Sequence, residues 1–387
     1  MLDLNKRPFI IFWELTRACK LACKHCRAKA QKERHPDELS FEEAKKVIEQ
    51  IKAFGKPYPL VVITGGDPLL REDVFDIVKY GVNSGLRIAM AFSGTDLATS
   101  EVLESLKEAG VSRIAISIDG SNESIHDGFR GIKGTFKESM KILKNARKAG
   151  ISTQINTTVT KFNLHDLANI AKLAIENEAT LWDVFFVVPT GRAKIEYMPS
   201  SQEFEDILNW LYDVSKKTGL NIKSSAATHL RRIELQRDAG MEMKVSELYY
   251  DLLHQIDGLE AELKSESAGS IVAGGHGRSL ADGIKRMMGI TDGRGMFFIS
   301  HVGEVYPSGF LPLVAGNVRE MSLKEIYNES KIFKDLKDPE KLKGKCGRCE
   351  YRRICGGSRA RAFALTGDYL TQEPRCIYTP CRITTDL

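Results

Sequence analysis

Cys19, Cys23 and Cys26 lie in the run TRACKLACKHCR, residues 16–27. At C-x3-C-x2-C spacing, three thiolates can hold three corners of a [4Fe-4S] cluster. The fourth iron is then left without a protein ligand. An open iron on a low-potential cluster can bind a small molecule and pass it an electron. The same residues could instead form a zinc knot with His25 as fourth ligand. Zinc sites usually pair two separated ligand couples, whereas these three cysteines crowd one loop. The basic surround of Arg17, Lys20, Lys24 and Arg27 also suits an electron-rich thiolate cluster.

Five further cysteines stand near the other end: Cys346, Cys349 and Cys355 at C-x2-C-x5-C spacing, then Cys376 and Cys381. Four thiolates are enough to close a complete cluster. On spacing alone, a zinc ribbon is the alternative. Disulfide staples are usually spread through small secreted domains, so two tight groups in a chain with no secretory signal read as metal sites. A reducing, cytoplasmic compartment is therefore expected. No apolar run is long enough to span a bilayer, and no membrane partner is expected. The net charge of +5 over 387 residues is mild, and no basic low-complexity arm is visible. That balance fits an anionic small substrate or an acidic protein donor and argues against nucleic acid.

The elements that must position these residues alternate in type from about residue 8 to residue 224. Strands are expected at 9–15, 60–63, 87–92, 113–118, 153–159 and 182–188. Charged periodic segments at 100–109, 136–149 and 164–175 read as helices between them. Ser40 and Glu43 form a capping-box signature that opens another helix toward Ala53. About six β/α units imply an α/β fold, a partial (β/α)6 TIM-like barrel built on a parallel sheet. Ligands of such folds sit at the carboxyl ends of the strands. The cysteine loop falls there. So do Gly65, Gly66, Asp67 and Pro68 after the second strand, and Ser117 and Asp119 at the end of the fourth. Paired glycines allow close backbone approach, and an acidic side chain suits a protonated amino group. An ordinary strand-to-helix turn is the other reading of that loop.

The composition divides the chain into a β/α core at 1–226, a charged and Gly-rich insertion at 227–294, and a small C-terminal cysteine-bearing domain at 295–387, an iron-sulfur domain if its thiolates hold a cluster. A helix is expected around 245–263. The Gly/Ser-rich piece at 265–289 reads as a flexible lid or as a surface insertion without chemical role.

On these motifs the chain resembles the radical S-adenosylmethionine (SAM) enzymes. The resemblance implies that Cys19, Cys23 and Cys26 ligate the catalytic cluster while the amino and carboxylate groups of SAM chelate its open iron. Electron transfer would cleave the sulfonium, and the resulting 5′-deoxyadenosyl radical would abstract a substrate hydrogen. Gly65, Gly66, Asp67 and Pro68 resemble the family's Gly-Gly-Glu-Pro loop, with Asp for the usual Glu. Ser117 and Asp119 are similar to the element that contacts the ribose and carboxylate of SAM. Arg130 would pair with that carboxylate or make a structural salt bridge. Ser93 stands where the family often has Asn.

The C-terminal spacing resembles the auxiliary-cluster domain known as SPASM. Ser308 occupies a position commonly held by cysteine, which implies one auxiliary [4Fe-4S] cluster, on Cys346, Cys349, Cys355 and Cys376. Cys381 would be a spare or a swap partner for Cys376. Such a cluster could take up an electron released by a substrate radical. The tail from Gly344 to Asp368, with Cys26–Ala28, Asn156–Val159 and Pro189–Arg192, resembles the enzymes of alternative haem biosynthesis. These include the decarboxylase that turns iron-coproporphyrin III into haem b and relatives acting on haem d1 precursors. A tetrapyrrole propionate would be the target, with a ferredoxin- or flavodoxin-type electron donor. Arg192, Arg359 and Arg361 could hold carboxylates or be structural. The alternative is a maturase that crosslinks a small peptide or modifies a metallocofactor. The first strand begins too early for the leader-binding winged helix that many peptide enzymes carry.

Overall fold

A computed structural model describes residues 2–256 and 289–381. Seven parallel strands follow one another in space as in sequence: β1 (Ile10–Glu14), β2 (Leu60–Thr64), β3 (Ile88–Ala91), β4 (Arg113–Ser117), β5 (Ser152–Val159), β6 (Leu181–Phe186) and β7 (Ile222–Ser225). Ile11 lies beside Val61 and Trp13 beside Ile63, so the apolar positions of neighbouring strands share one face. The run LVVIT has no turn residue and several β-branched side chains, which suits a strand covered on both sides.

The helices between the strands are amphipathic. In α1 (Phe41–Lys52) the Ser40–Glu43 capping box forms as its sequence implies, and Ala44, Val47, Ile48 and Ile51 are the buried face. Fully burying Val47, Ile48 and Ile51 contributes about 1.5–3 kcal/mol each. Then come α2 (Val74–Asn83), α3 (Ser100–Glu108), α4 (Glu123–Arg130), α5 (Thr135–Lys148), α6 (Leu167–Glu176), α7 (Ser201–Thr218) and α8 (His229–Asp238). Trp182 and Trp210 meet edge to face at 6.1 Å and join the last strands to α7.

Three features differ from the sequence reading. β7 was not among the six expected strands. Its sequence, Ile222-Lys-Ser-Ser, buries only Ile222, and it exists because β6 offers a free edge. Past the expected boundary at 295, β8 (Met296–Ile299) pairs in parallel with β1, Ile10 against Met296. β9 (Glu304–Tyr306) and β10 (Gly316–Asn317) continue the same sheet antiparallel. The sheet is open, running β10-β9-β8-β1-β2-β3-β4-β5-β6-β7. Third, the segment after 226 is packed against the core up to residue 256. Arg232 of α8 is ion-paired to Glu205 of α7 at 2.6 Å, both buried, and Trp210 Nε1–H donates to the Leu252 carbonyl at 3.0 Å. The expected Gly/Ser-rich lid lies outside the described residues apart from Gly289.

Candidate functional site

The cysteine loop leaves the end of β1 and is fastened to its neighbours by main-chain bonds. Leu15 N–H donates to the Thr64 carbonyl at 2.9 Å, Gly66 N–H to that of Thr16 at 2.8 Å, and Asp67 N–H to that of Ala18 at 2.7 Å. A β-carbon on Gly66 would sit 2.3 Å from the Ala18 oxygen, and one on Gly65 2.5 Å from the Thr16 oxygen. The close approach that the paired glycines permit is therefore to the cysteine loop itself. From the other side, Gly191 presses on the Cys26 carbonyl in a left-handed turn at φ +64°, where a side chain would clash. Arg192 N–H donates to that carbonyl, and its guanidinium donates to the Cys23 and Ala30 carbonyls, each at 2.9 Å. Arg192 is thus a clasp for the loop, with its Nη2 left without a partner among the described residues.

The three thiols are free. Leu21 N–H donates to Cys19 Sγ at 3.3 Å, Ala30 N–H to Cys26 Sγ at 3.4 Å, and the Arg130 guanidinium to Cys23 Sγ at 3.7 Å. Burial pushes the Cys19 and Cys23 thiols above the usual range, so their thiolates need a cationic partner. Bound iron would supply one, and preformed N–H···S bonds fit a cluster whose sulfurs carry negative charge. His25 is not offered as a fourth ligand. Its ring stacks on Phe129 at 4.3 Å, its Nε2 lies 3.7 Å from Asp119, and burial lowers its pKa to about 4.

Around this loop the strand ends supply a ring of polar groups. Ser117 is the last residue of β4. Asp119, buried just beyond it, accepts from Thr158 N–H at 2.7 Å and is ion-paired with Arg130 at 2.5 Å. Burial alone would raise the Asp119 carboxyl, but Arg130 and His25 hold it below the usual range. Arg130 thereby joins Asp119 to Cys23. Asp67 is fully buried, accepts from Leu69 N–H at 3.2 Å and from the Thr95 hydroxyl at 3.0 Å, and burial raises its pKa to about 6. Pro68 opens a single 3-10 turn that follows. Ser93 donates to the Gly66 carbonyl at 3.1 Å, and its oxygen lies 3.3 Å from Cys19 Sγ.

Sequence reasoning missed a second polar cluster beside the loop. Glu14 at the end of β1 is paired with Arg27 at 3.0 Å and with His301 Nδ1 at 2.9 Å. Burial raises the Glu14 carboxyl, but the two partners outweigh it and keep the group ionised. The Arg27 guanidinium also covers the Phe298 ring at 4.4 Å. No local signal marks this trio, because His301 reaches it from beyond β8.

At the far end, Cys346, Cys349, Cys355 and Cys376 all border one cavity. Glu373 N–H and the Arg359 guanidinium point at Cys346 Sγ, at 3.3 and 3.6 Å. Cys381 is exposed and not among the residues bordering that cavity. Arg359 is spent on the Tyr369 and Thr371 carbonyls as well. Arg361 is fully buried, ion-paired to Glu373 at 3.2 Å, and donates to the Phe186 and Ala226 carbonyls. Arg361 thus holds the cysteine segment to the ends of β6 and β7, while Arg359 braces that segment internally.

Residues 13–174 match the model of the radical SAM superfamily, and residues 291–350 match that of the iron-sulfur cluster-binding domain called SPASM. The AdoMet-dependent heme synthase of Methanosarcina barkeri is 41% identical to the chain, covering 98% of it and 99% of the relative. The AdoMet-dependent heme synthase of Nitratidesulfovibrio vulgaris is also 41% identical, over 97% of the chain and 94% of the relative. A crystal structure of Streptococcus suis SuiB bound to its precursor peptide SuiA superposes with a TM-score of 0.69. At 15% identity, it covers 96% of this chain and 76% of that one. That likeness is one of fold.

Proposed function

The chain belongs to the radical SAM superfamily, and on that premise we propose that it decarboxylates propionate side chains of iron-coproporphyrin III to give haem b. The full-length likeness to heme synthases carries this reading. As a radical SAM enzyme it uses a [4Fe-4S] cluster and S-adenosylmethionine, with auxiliary iron-sulfur chemistry in its SPASM domain. In that family the reduced cluster and SAM together supply a 5′-deoxyadenosyl radical.

In this reading Cys19, Cys23 and Cys26 would hold the radical-site cluster. Arg130, fixed by Asp119, supports the Cys23 sulfur. Gly65, Gly66 and Asp67 lock the cysteine loop against β2, and with Pro68, Ser117 and Asp119 at the neighbouring strand ends they would border SAM. Cys346, Cys349, Cys355 and Cys376 would hold a cluster able to accept an electron. A hydrogen atom would leave the propionate β-carbon for the deoxyadenosyl group, the carboxylate would depart as CO2, and the electron released would pass to the auxiliary cluster, leaving a vinyl group. A ferredoxin- or flavodoxin-type protein would donate the priming electron in a cytoplasmic setting; among the described residues no helix is long and apolar enough to cross a membrane. The division at 1–226, 227–294 and 295–387 is proposed as one of chemistry, since the sheet itself runs across the last boundary.

The test is anaerobic incubation of the reconstituted, dithionite-reduced chain with SAM, with and without iron-coproporphyrin III. Formation of 5′-deoxyadenosine with loss of CO2 from the porphyrin is expected. SAM cleavage with an unchanged porphyrin would refute the substrate and turn the search to peptide or metallocofactor maturation.

A further inference from the structure

The cavity bordered by Cys346, Cys349, Cys355 and Cys376 has a wall that does not come from the cysteine-bearing segment. It is the first turn of α8, in the stretch that composition marks as an insertion. Thr228 Oγ1 lies 3.7 Å from Cys355 Sγ, and His229 and Arg232 border the cavity. The helix begins there without a side-chain cap, and its Leu230 and Arg231 amides donate to the Ala227 and Thr228 carbonyls, so the positive end of its dipole meets no side-chain acceptor. Arg232 is already bound to Glu205 and Gln236, and Lys345 to the Cys376 carbonyl. Arg232 leaves only its Nε unpaired, whereas His229, 2% exposed, has no hydrogen-bond partner at either ring nitrogen among the described residues. A buried donor left unmade costs about 1–3 kcal/mol, and such a group calls for a partner. A neutral imidazole carries one N–H to donate.

We propose that His229 donates its ring N–H to an auxiliary [4Fe-4S] cluster and, with the N-terminus of α8, raises that cluster's reduction potential so that it serves as an electron acceptor. The proposal rests on the reading that the four cysteines hold such a cluster. Its physical basis is simple. The reduced cluster carries one more negative charge, so a donor aimed at its sulfurs stabilises the reduced form more than the oxidised one. His229 is here a positioning and tuning residue, with no role as ligand.

The experiment uses the full chain with Cys19, Cys23 and Cys26 replaced by Ala, so that only the auxiliary signal remains. The reconstituted protein is titrated under EPR, with His229 intact, as His229→Leu and as His229→Gln. Leu removes the donor, and Gln keeps an N–H of similar reach. The expected result is a fall of about tenfold in the reduced-to-oxidised ratio at fixed potential for Leu, equal to about 59 mV for a one-electron couple, with recovery in Gln. Equal midpoints in all three proteins overturn the proposal, as does an equal fall in Leu and Gln, which would make the effect one of packing. A nitrogen hyperfine coupling of iron-ligand strength, lost in Leu, overturns it too, by making His229 a ligand. A chain that binds no second cluster overturns both this proposal and the reading beneath it, and the iron and sulfide counts distinguish that failure from the others.

Discussion

Gly66→Ala is a one-carbon test of how the radical site is held. The new β-carbon would lie 2.3 Å from the Ala18 oxygen and 2.7 Å from the Arg17 oxygen. Non-bonded heavy atoms are at ease near about 3.5 Å, so one of these segments must move by roughly 1 Å. Both atoms it meets are backbone, and no side chain can swing away. The Gly66 N–H···O bond to Thr16 and the Asp67 bond to Ala18 sit at the same place, so relief of the clash weakens them. Overpacking of this kind costs about 1–3 kcal/mol of stability, which the whole chain should survive. A displacement of about 1 Å at reacting groups can lower turnover about a hundredfold. The assay is iron and sulfide per chain after anaerobic reconstitution, then SAM cleavage to 5′-deoxyadenosine. We expect a folded variant that falls from about eight irons toward about four, the auxiliary centre being untouched, with cleavage down about a hundredfold. Gly128→Ala is the control. It lies inside α4 with nothing within 4 Å of an added β-carbon, so it should be neutral or stabilise by up to about 1 kcal/mol. Full iron content and ordinary turnover in Gly66→Ala would refute the claim that this glycine sets the position of the cysteine loop.

Three other predictions use separate parts of the chain. Cys376→Ser should cost about four irons and Cys381→Ser none, because only Cys376 borders the cavity with the other three thiols; the reverse pattern would make Cys381 the ligand. Asp67 has a folded-state pKa raised from 3.8 to about 6 by burial, so its ionised form weakens the fold as pH rises through 6. Denaturant unfolding of the reconstituted protein should therefore find Asp67→Asn more stable than wild type at pH 8, on the order of 3 kcal/mol at most. The gap should shrink as pH falls toward 5, while SAM binding weakens; a gap that is flat with pH would show that Asp67 does not ionise in this range. Arg361→Met strands the Glu373 carboxylate and frees two carbonyls, at a cost of about 3–5 kcal/mol measured by denaturant unfolding. A loss below about 1 kcal/mol would show that the pair does not tie the cysteine segments to the sheet.

What could be read in the chain without its structure follows from the range of the forces involved. The Ser40–Glu43 box, the LVVIT strand and the two cysteine spacings are set by neighbours within a few residues, so the pattern is visible locally. β7 is not visible, because Ile222 is its one buried side chain and an edge on β6 does the rest. β8 has a strand-like sequence, but nothing in MFFI says that its partner is β1 at the other end of the chain.

The same division runs through the sites. The cysteines announce themselves by spacing, and the glycine pair by composition. Their actual contact was not legible, since Gly66 meets the Ala18 carbonyl only after the strands align. Arg192, Arg359 and Arg361 look alike in sequence, three cations near a site that could take carboxylates. Folding gives each of them backbone carbonyls to bind, and two of them reach across more than a hundred residues to do so. His229 and His301 show the opposite outcome. Both lie in stretches with no recognisable motif, and folding brings one to the auxiliary cavity without a partner and the other onto Glu14 beside the radical loop. A cation in sequence is thus weak evidence of a ligand site, while a buried donor without a partner becomes evidence only once the fold is known. In this chain one such residue, His229, sits where electrons would have to be accepted.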